Sequence, residues 1–314
     1  MILAPLQGLT EVLFRRVYED CFPGAIRLAV TPFISLTHNM HNATQASARM
    51  QLADVLPENN SASIPVIPQI LGKEPDEFIL LGERLHDMGY TEVNWNMGCP
   101  MRKVTGKHRG SGILPYPDEV KAMLESVMPQ LKVRLSVKMR LGLRDKGEIF
   151  RLIPILNDYP LASVTIHPRL GRQQYGGVPD LQTFAEALPQ IKHPVIYNGD
   201  ICTPSDADRI LARFPSVADI MVGRGILYRP TLPMEIEGQI LSEEQRLSLS
   251  KRFVRHLKDE IKNSIPYEES RTRKMKEYWS LLWKSLPISE IQAREVLRQQ
   301  EFTAVDNLID TFIQ

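Results

Sequence analysis

The chain has 314 residues, 43% of them hydrophobic, with 38 Lys and Arg against 37 Asp and Glu for a formal net charge of +1. That is enough apolar material for a sizeable core, and the balanced charge excludes a global attraction to polyanions, so any nucleic-acid surface must come from local clustering. Cys21, Cys99 and Cys202 are odd in number and widely spaced, which fits neither a disulfide framework nor a zinc site and predicts a reducing compartment.

In chain order, short β-rich runs alternate with helical stretches, as in parallel βα units. The patterning predicts strands at 2–4, 26–30, 66–70, 92–96, 135–139, 164–167, 195–197 and 219–222, and helices at 11–20, 75–88, 118–128, 148–156, 181–188 and 204–214. The segment 35–63 is irregular, and 37–60 carries no motif that assigns it a role. Eight repeats by residue 235 match a (β/α)8 TIM barrel, whose usual length is about 250 residues. A doubly wound sheet is the rival, but no Gly-x-Gly-x-x-Gly follows the first strand.

From residue 242 onward only helical stretches follow, at 243–264, 269–286, 289–299 and 303–312, broken at Pro266 and Pro287. The expected division is an α/β barrel over 1–235 and an all-helical domain over 242–314. In the latter, Arg271, Arg273, Lys274 and Lys276 precede Tyr278, Trp279 and Trp283. Such a run is either a solvated helix face or, given the adjoining aromatics, an RNA-facing surface. The start, Met1-Ile2-Leu3-Ala4-Pro5, has no basic leader, and no apolar run approaches the roughly 20 residues of a membrane helix. The expectation is a cytoplasmic monomer without membrane or metal partners.

The stretch Asn94 to Cys99-Pro100, continuing to Gly110-Ser111-Gly112, puts a thiol where a strand gives way to a loop. A lone cysteine is ordinarily a small buried hydrophobe, but Asn96, Arg102, Lys103, His108 and Arg109 make this run too polar for a core segment. Barrels of this kind carry their sites at the C-terminal strand ends, where the chain offers Pro5-Leu6-Gln7, Gln69, Asn96, Cys99, Lys138, Arg140, His167, Arg169, Asn198-Gly199-Asp200 and Gly223-Arg224-Gly225. Taken singly, Gln69 or His167 is accounted for by a hydrogen-bonded core position, and Asn198-Gly199-Asp200 by a turn.

Lys138 resists that reading, because an unpaired ammonium inside an apolar strand is expensive to bury. It needs an anionic or strongly accepting partner. A reduced flavin ring is one, with Gln69 and Asn198 able to hydrogen-bond its pyrimidine half. Gly223-Arg224-Gly225 offers N–H groups and a guanidinium to a phosphate, so flavin mononucleotide (FMN) satisfies both ends. Asp200 is left for the ribityl hydroxyls or a neighbouring loop.

With these residues in hand, the sequence resembles the tRNA-dihydrouridine synthase family. The likeness runs from Ala4-Pro5-Leu6-Gln7-Gly8 through Asn96-Met97-Gly98-Cys99-Pro100, Val137-Lys138-Met139-Arg140, Ile166-His167 and Asn198-Gly199-Asp200 to Val222-Gly223-Arg224-Gly225. The resemblance implies an FMN enzyme that reduces the C5=C6 bond of particular uridines in tRNA with NADPH as electron donor. It implies flavin contacts at Pro5, Leu6, Gln7, Gln69, Lys138, His167, Asn198, Gly199, Asp200, Gly223 and Arg224, with Cys99 as the proton donor. Asn96, Arg140 and Tyr175 would touch the target uridine or its neighbours, with Arg102, Lys103, Arg172 and the basic run Arg271 to Lys276 as further RNA contacts. Positive residues around the mouth, among them Arg102, Lys103, Arg169 and Arg172, would track phosphate. His108-Arg109 departs from the family pattern, which has small residues there. Three rivals remain: reduction of a free pyrimidine, the same reaction on ribosomal RNA, and an RNA-binding flavoprotein with a non-catalytic role.

Overall fold

The computed structural model describes residues 1–35, 52–60 and 64–314; positions 36–51 and 61–63, which fall in the segment expected to be irregular, lie outside them. Eight parallel strands close in chain order, β1 (Ile2–Leu3) pairing with both β2 (Leu28–Ile34) and β8 (Asp219–Val222). Between them lie β3 (Val66–Ile70), β4 (Glu92–Met97), β5 (Arg134–Gly142), β6 (Val164–Leu170) and β7 (Val195–Asn198). The predicted barrel is the observed one.

Alternation along each strand sorts side chains between two cores. Val93, Trp95 and Met97 of β4 and Leu135, Val137, Met139 and Leu141 of β5 join the large cluster beneath the surrounding helices. Ile2, Ala4, Val30, Ile196 and Met221 form a separate cluster, the apolar filling of the barrel interior. It comes from β1, β2, β7 and β8 with their flanks. On the β3–β5 side the inward positions are polar instead: Gln69, Asn94, Asn96 and Ser136 are all buried.

Of the strands that extend past their predicted ends, two do so through a proline. β2 continues across Thr31-Pro32 with a register shift between Val30 and Phe33, and β6 continues across Pro168. Proline normally argues against a central strand, but a bulge, or a position near the strand end, lets pairing resume or finish without its missing N–H.

Of the helices around the barrel, α1 (Val12–Cys21) packs against the first C-terminal helix, and the short helix Gly225–Tyr228 meets the second. The longest of the C-terminal helices, α10 (Glu243–Ser264), starts at a capping box in which Ser242 accepts from the Gln245 N–H. It is followed by α11 (Glu268–Leu282), α12 (Glu290–Arg298) and α13 (Phe302–Ile313). Phe253 of α10 packs edge-on against Phe14 and Tyr18 of α1, with centroids 5.6 and 5.7 Å apart, and Tyr278 of α11 stacks on Phe14 at 6.2 Å. One hydrophobic cluster therefore runs from barrel to tail.

This packing corrects the expectation of an aromatic RNA-facing surface on α11. Tyr278 and Trp279 are fully buried, and the Trp279 indole donates to the Ala293 carbonyl at 3.1 Å. Helical periodicity turns them inward while Arg273 faces solvent. Phe253→Ala should cost about 3–5 kcal/mol, the range for emptying a buried aromatic site, in denaturant unfolding. Unchanged stability would mean that the tail does not share the barrel's core.

Candidate active site

At the end of β4 the chain of buried amides finds its purpose. Asn96 Oδ1 accepts the N–H groups of Gly98 and Cys99 at 3.0 and 2.9 Å, fixing the start of the loop. Its Nδ2 donates to Gln69 Oε1 at 2.7 Å, Gln69 Nε2 donates to Asn94 Oδ1 at 2.7 Å, and Asn94 Nδ2 donates to Ser136 Oγ at 3.1 Å. Each amide orients the next, so the relay has one direction, from the Gly98 and Cys99 N–H groups to Ser136, whose hydroxyl donates to the Val93 carbonyl at 3.3 Å. On the other side, the Cys99 carbonyl accepts from the Ser111 N–H at 3.0 Å and its hydroxyl at 3.1 Å. Gly110, at φ +57°, approaches so closely that an added Cβ would sit 2.9 Å from Cys99 Cβ, so only glycine fits. His108 and Arg109, the departure from the family pattern, are tied down nearby. The His108 ring stacks on Tyr116 at 4.0 Å and meets Glu119 at 3.0 Å, and Arg109 pairs with Glu77 at 3.7 Å.

Cys99 opens onto a cavity of about 550 Å³ at the C-terminal strand ends, which Lys138, His167, Asn198 and Arg224 also line. Lys138 Nζ donates to Asn198 Oδ1 at 2.7 Å, while Asn198 Nδ2 is held by the Met221 carbonyl at 2.8 Å. Among the described residues no carboxylate pairs with Lys138. Burial, with the Arg140 charge added, pulls its ammonium down to about 7. Arg140 is 2% exposed and donates to the Gly98 carbonyl at 2.9 Å and the Leu170 carbonyl at 3.0 Å; burial lowers it to about 10. Burial first, then Arg140 and Lys138, drives His167 well below its ordinary range, so the ring is neutral at pH 7. Burial raises the Cys99 thiol, against smaller opposing pulls from the Met101 N–H, Arg140, Lys103 and Lys138. The thiol is therefore protonated at neutral pH.

The residues expected at the site fall into groups. Pro5, Leu6, Gln7, Asn96, Cys99, Lys138, Arg140, His167, Tyr175, Asn198, Gly199, Asp200, Gly223 and Arg224 line this one cavity. Gln69 does not line it; it lies within the amide relay and reaches the cavity through Asn96. Arg102, Lys103 and Arg172 are exposed and outside the lining. In the tail, Arg273 is exposed and Lys276 half-buried, but two basic residues face inward. Lys274 Nζ binds the Gly8 carbonyl at 3.0 Å and Glu11 at 2.8 Å, latching α11 to the loop after β1, and Arg271 Nε binds the Ile265 carbonyl at 2.5 Å. Arg169 is likewise not a phosphate contact: it is 1% exposed and bound to Asp200. Sequence reasoning missed Asn94 and Ser136, whose signal was polarity at inward strand positions. It also missed Leu281, which brings α11 to the cavity wall.

The family model described as dihydrouridine synthase (Dus) matches residues 2–308. The chain belongs to the dihydrouridine synthase family. It is similar to a "tRNA-dihydrouridine synthase B" of Pasteurella multocida, 29% identical over 76% of this chain and 69% of that protein. A "Probable tRNA-dihydrouridine synthase 1" of Synechocystis is 32% identical over 78% of this chain and 66% of its own length. Among solved structures, the old yellow enzyme from Trypanosoma cruzi superposes with a TM-score of 0.53 at 10% identity, covering 78% of this chain and 91% of that one, a likeness of fold alone.

Dihydrouridine synthases are flavin-dependent oxidoreductases built on this barrel, and the cavity suits such a group. Three of its lining side chains, Lys138, Arg140 and Arg224, are cationic, and the lining carboxylate, Asp200, is already bound to Arg169 and Arg224. Lys138 thus presents spare donors to an electron-rich ligand. Among the described residues no cluster of His, Cys, Asp and Glu suits a metal ion, and no helix is long and apolar enough to cross a membrane.

Proposed function

We propose that this enzyme reduces the C5=C6 bond of specific uridines in tRNA to dihydrouridine, with FMN in the cavity and NADPH as electron donor. The observation that carries the reading is the meeting of Cys99 and Lys138 in one cavity, a protonated thiol and an amine that pairs with no carboxylate among the described residues. The bound flavin supplies the hydride equivalent that saturates C6 of the pyrimidine. Cys99 Sγ gives its proton to C5, a task for which a raised thiol is suited. Lys138, oriented by Asn198, would hold the flavin and favour its electron-rich reduced form. Pro5, Leu6, Gln7, His167, Gly199, Asp200, Gly223 and Arg224 complete its pocket. Gln69 serves through Asn96, and Asn96, Arg140 and Tyr175 face the uridine.

A stacked base cannot enter a barrel mouth, so the uridine is extruded. Arg102, Lys103, Arg172, Arg273 and Lys276 then meet RNA phosphates outside, making affinity salt-dependent despite the near-neutral total charge. On this reading 1–235 is the flavin-binding catalytic domain and 242–314 the RNA clamp, acting as a monomer in the cytoplasm. The test is a dihydrouridine map of transfer and ribosomal RNA from cells with and without the gene. Loss at defined tRNA positions supports the reading; loss confined to ribosomal RNA, or no loss with reduction of a free pyrimidine in vitro, replaces it.

A further inference from the structure

The guanidinium of Arg169 is engaged on every edge. Nε donates to the Gly176 carbonyl at 3.1 Å and Nη2 to the Gly177 carbonyl at 2.7 Å, gripping the two residues that follow Tyr175. The same group pairs bidentately with Asp200, Nη1 to Oδ1 at 2.9 Å and Nη2 to Oδ2 at 2.5 Å. Nη1 also meets His167 Nε2 at 3.1 Å. A guanidinium has donors only, so Nε2 must accept, and a neutral ring then carries its proton on Nδ1.

The gripped segment needs such a tether. Gln174 and Gly177 stand at φ +52° and +66°, Tyr175 is 48% exposed and Val178 78%. A loop with left-handed positions on both sides of an exposed tyrosine has little packing of its own to hold it. Tyr175 nonetheless sits on the cavity lining, with its ring 4.8 Å from the Arg224 guanidinium and 5.8 Å from that of Arg140. Arg224 in turn donates to Asp200 at 3.3 Å, so one carboxylate joins the tether to the cation beside the ring.

We propose that Arg169 is a positioning residue: it ties down the 171–177 loop so that Tyr175 stands over the cavity, and it selects the Nδ1–H form of His167. Neither role needs Arg169 to touch substrate or cofactor. The alternative is a buried ion pair that only stabilises the barrel.

Trypsin separates the two, because Arg172 is an exposed cleavage site inside the loop. In the flavin-loaded protein, R169M is expected to be cut after Arg172 at least about tenfold faster than wild type while cooperative melting is retained, since two loop hydrogen bonds are lost. Nitrogen NMR of labelled histidines, with His167 assigned through H167Q, should show the Nδ1–H form in wild type and a mixture of tautomers in R169M. R169K, which keeps part of the donor set, and D200N, which weakens the anchor, should fall between. A third arm rests on the proposed function: R169M and Y175A should each raise KM for tRNA, and the double variant should add nothing further. Wild-type protein without uridine reductase activity would defeat that reading while the first two arms still decide this one. Unchanged cleavage and an unchanged His167 spectrum in R169M overturn the proposal. Should R169M not fold, wild-type behaviour of R169K and D200N in both measurements overturns it equally.

Discussion

Replacing Cys99 with alanine is expected to slow uridine reduction by about 10²–10⁴-fold, the usual worth of a positioned general acid, with flavin reduction by NADPH and RNA binding unchanged. The selectivity follows from how the loop is built. Asn96 holds the Gly98 and Cys99 N–H groups and Ser111 holds the Cys99 carbonyl, so these contacts fix the loop through its backbone, and the Met101 N–H alone is drawn to the sulfur. Removing Sγ leaves those bonds in place. The pH dependence has a definite sign. Burial raises the thiol above its ordinary value of about 8.5, so the proton is present throughout the neutral range and activity falls as pH climbs through the raised value. Alkylation of Cys99 by iodoacetamide should follow the inverse curve, staying slow at pH 7 and accelerating only in alkaline solution. Single-turnover assays with pre-reduced enzyme isolate the step, and wild-type rates in C99A would remove Cys99 from the chemistry.

The barrel was legible because its period is visible without contacts. Val66–Ile70 and Asp219–Val222 have the predicted bounds, as apolar runs between turn residues should. What stayed hidden lies where a local rule is overridden by the closed sheet. The predicted strands stop at 30 and 167, short of Pro32 and Pro168, yet β2 resumes after a bulge and β6 runs on to Leu170. The short helix Arg102–Thr105 and the 3-10 turn Gly110–Ile113 were likewise invisible; the turn is held by Ser111 on the Cys99 carbonyl, and the helix starts on the Met101 carbonyl.

The site divides along the same line. Lys138 could be singled out from sequence because a charge in an apolar strand demands a partner, and Cys99 because its setting is too polar for a core. Arg169 and Lys274 have no such mark. Both lie among residues that look like an RNA-facing surface, and only three-dimensional placement shows one bound to Asp200 and two loop carbonyls and the other to Glu11 and the Gly8 carbonyl. Charge type is written in the sequence, whereas the direction a long flexible side chain takes is set by the acceptors that the fold brings within reach.

Lys138→Met should leave the barrel folded and make the bound flavin harder to reduce. Methionine preserves length and apolar contact along the stem, and Asn198 stays in place through its bond to the Met221 carbonyl. What disappears is one charged donor to the reduced ring, worth about 1.5–3 kcal/mol, which lowers a two-electron midpoint potential by about 30–60 mV. The ammonium, at about 7 without a ligand, also gives the wild-type site a pH signature. An electron-rich ring favours the charged lysine, so binding reduced flavin takes up a proton, and affinity falls as pH rises above 7. Oxidised flavin, with less negative charge at that edge, should show the weaker slope. In K138M the slope should vanish for both redox forms, which separates lysine titration from any change in the flavin. Spectroelectrochemistry and binding titrations between pH 6 and 9 measure the two effects independently (a range of about one to two units around that value). A variant matching wild type in potential and in slope would mean that Lys138 faces something other than the flavin, and that the lowered ammonium reflects burial alone.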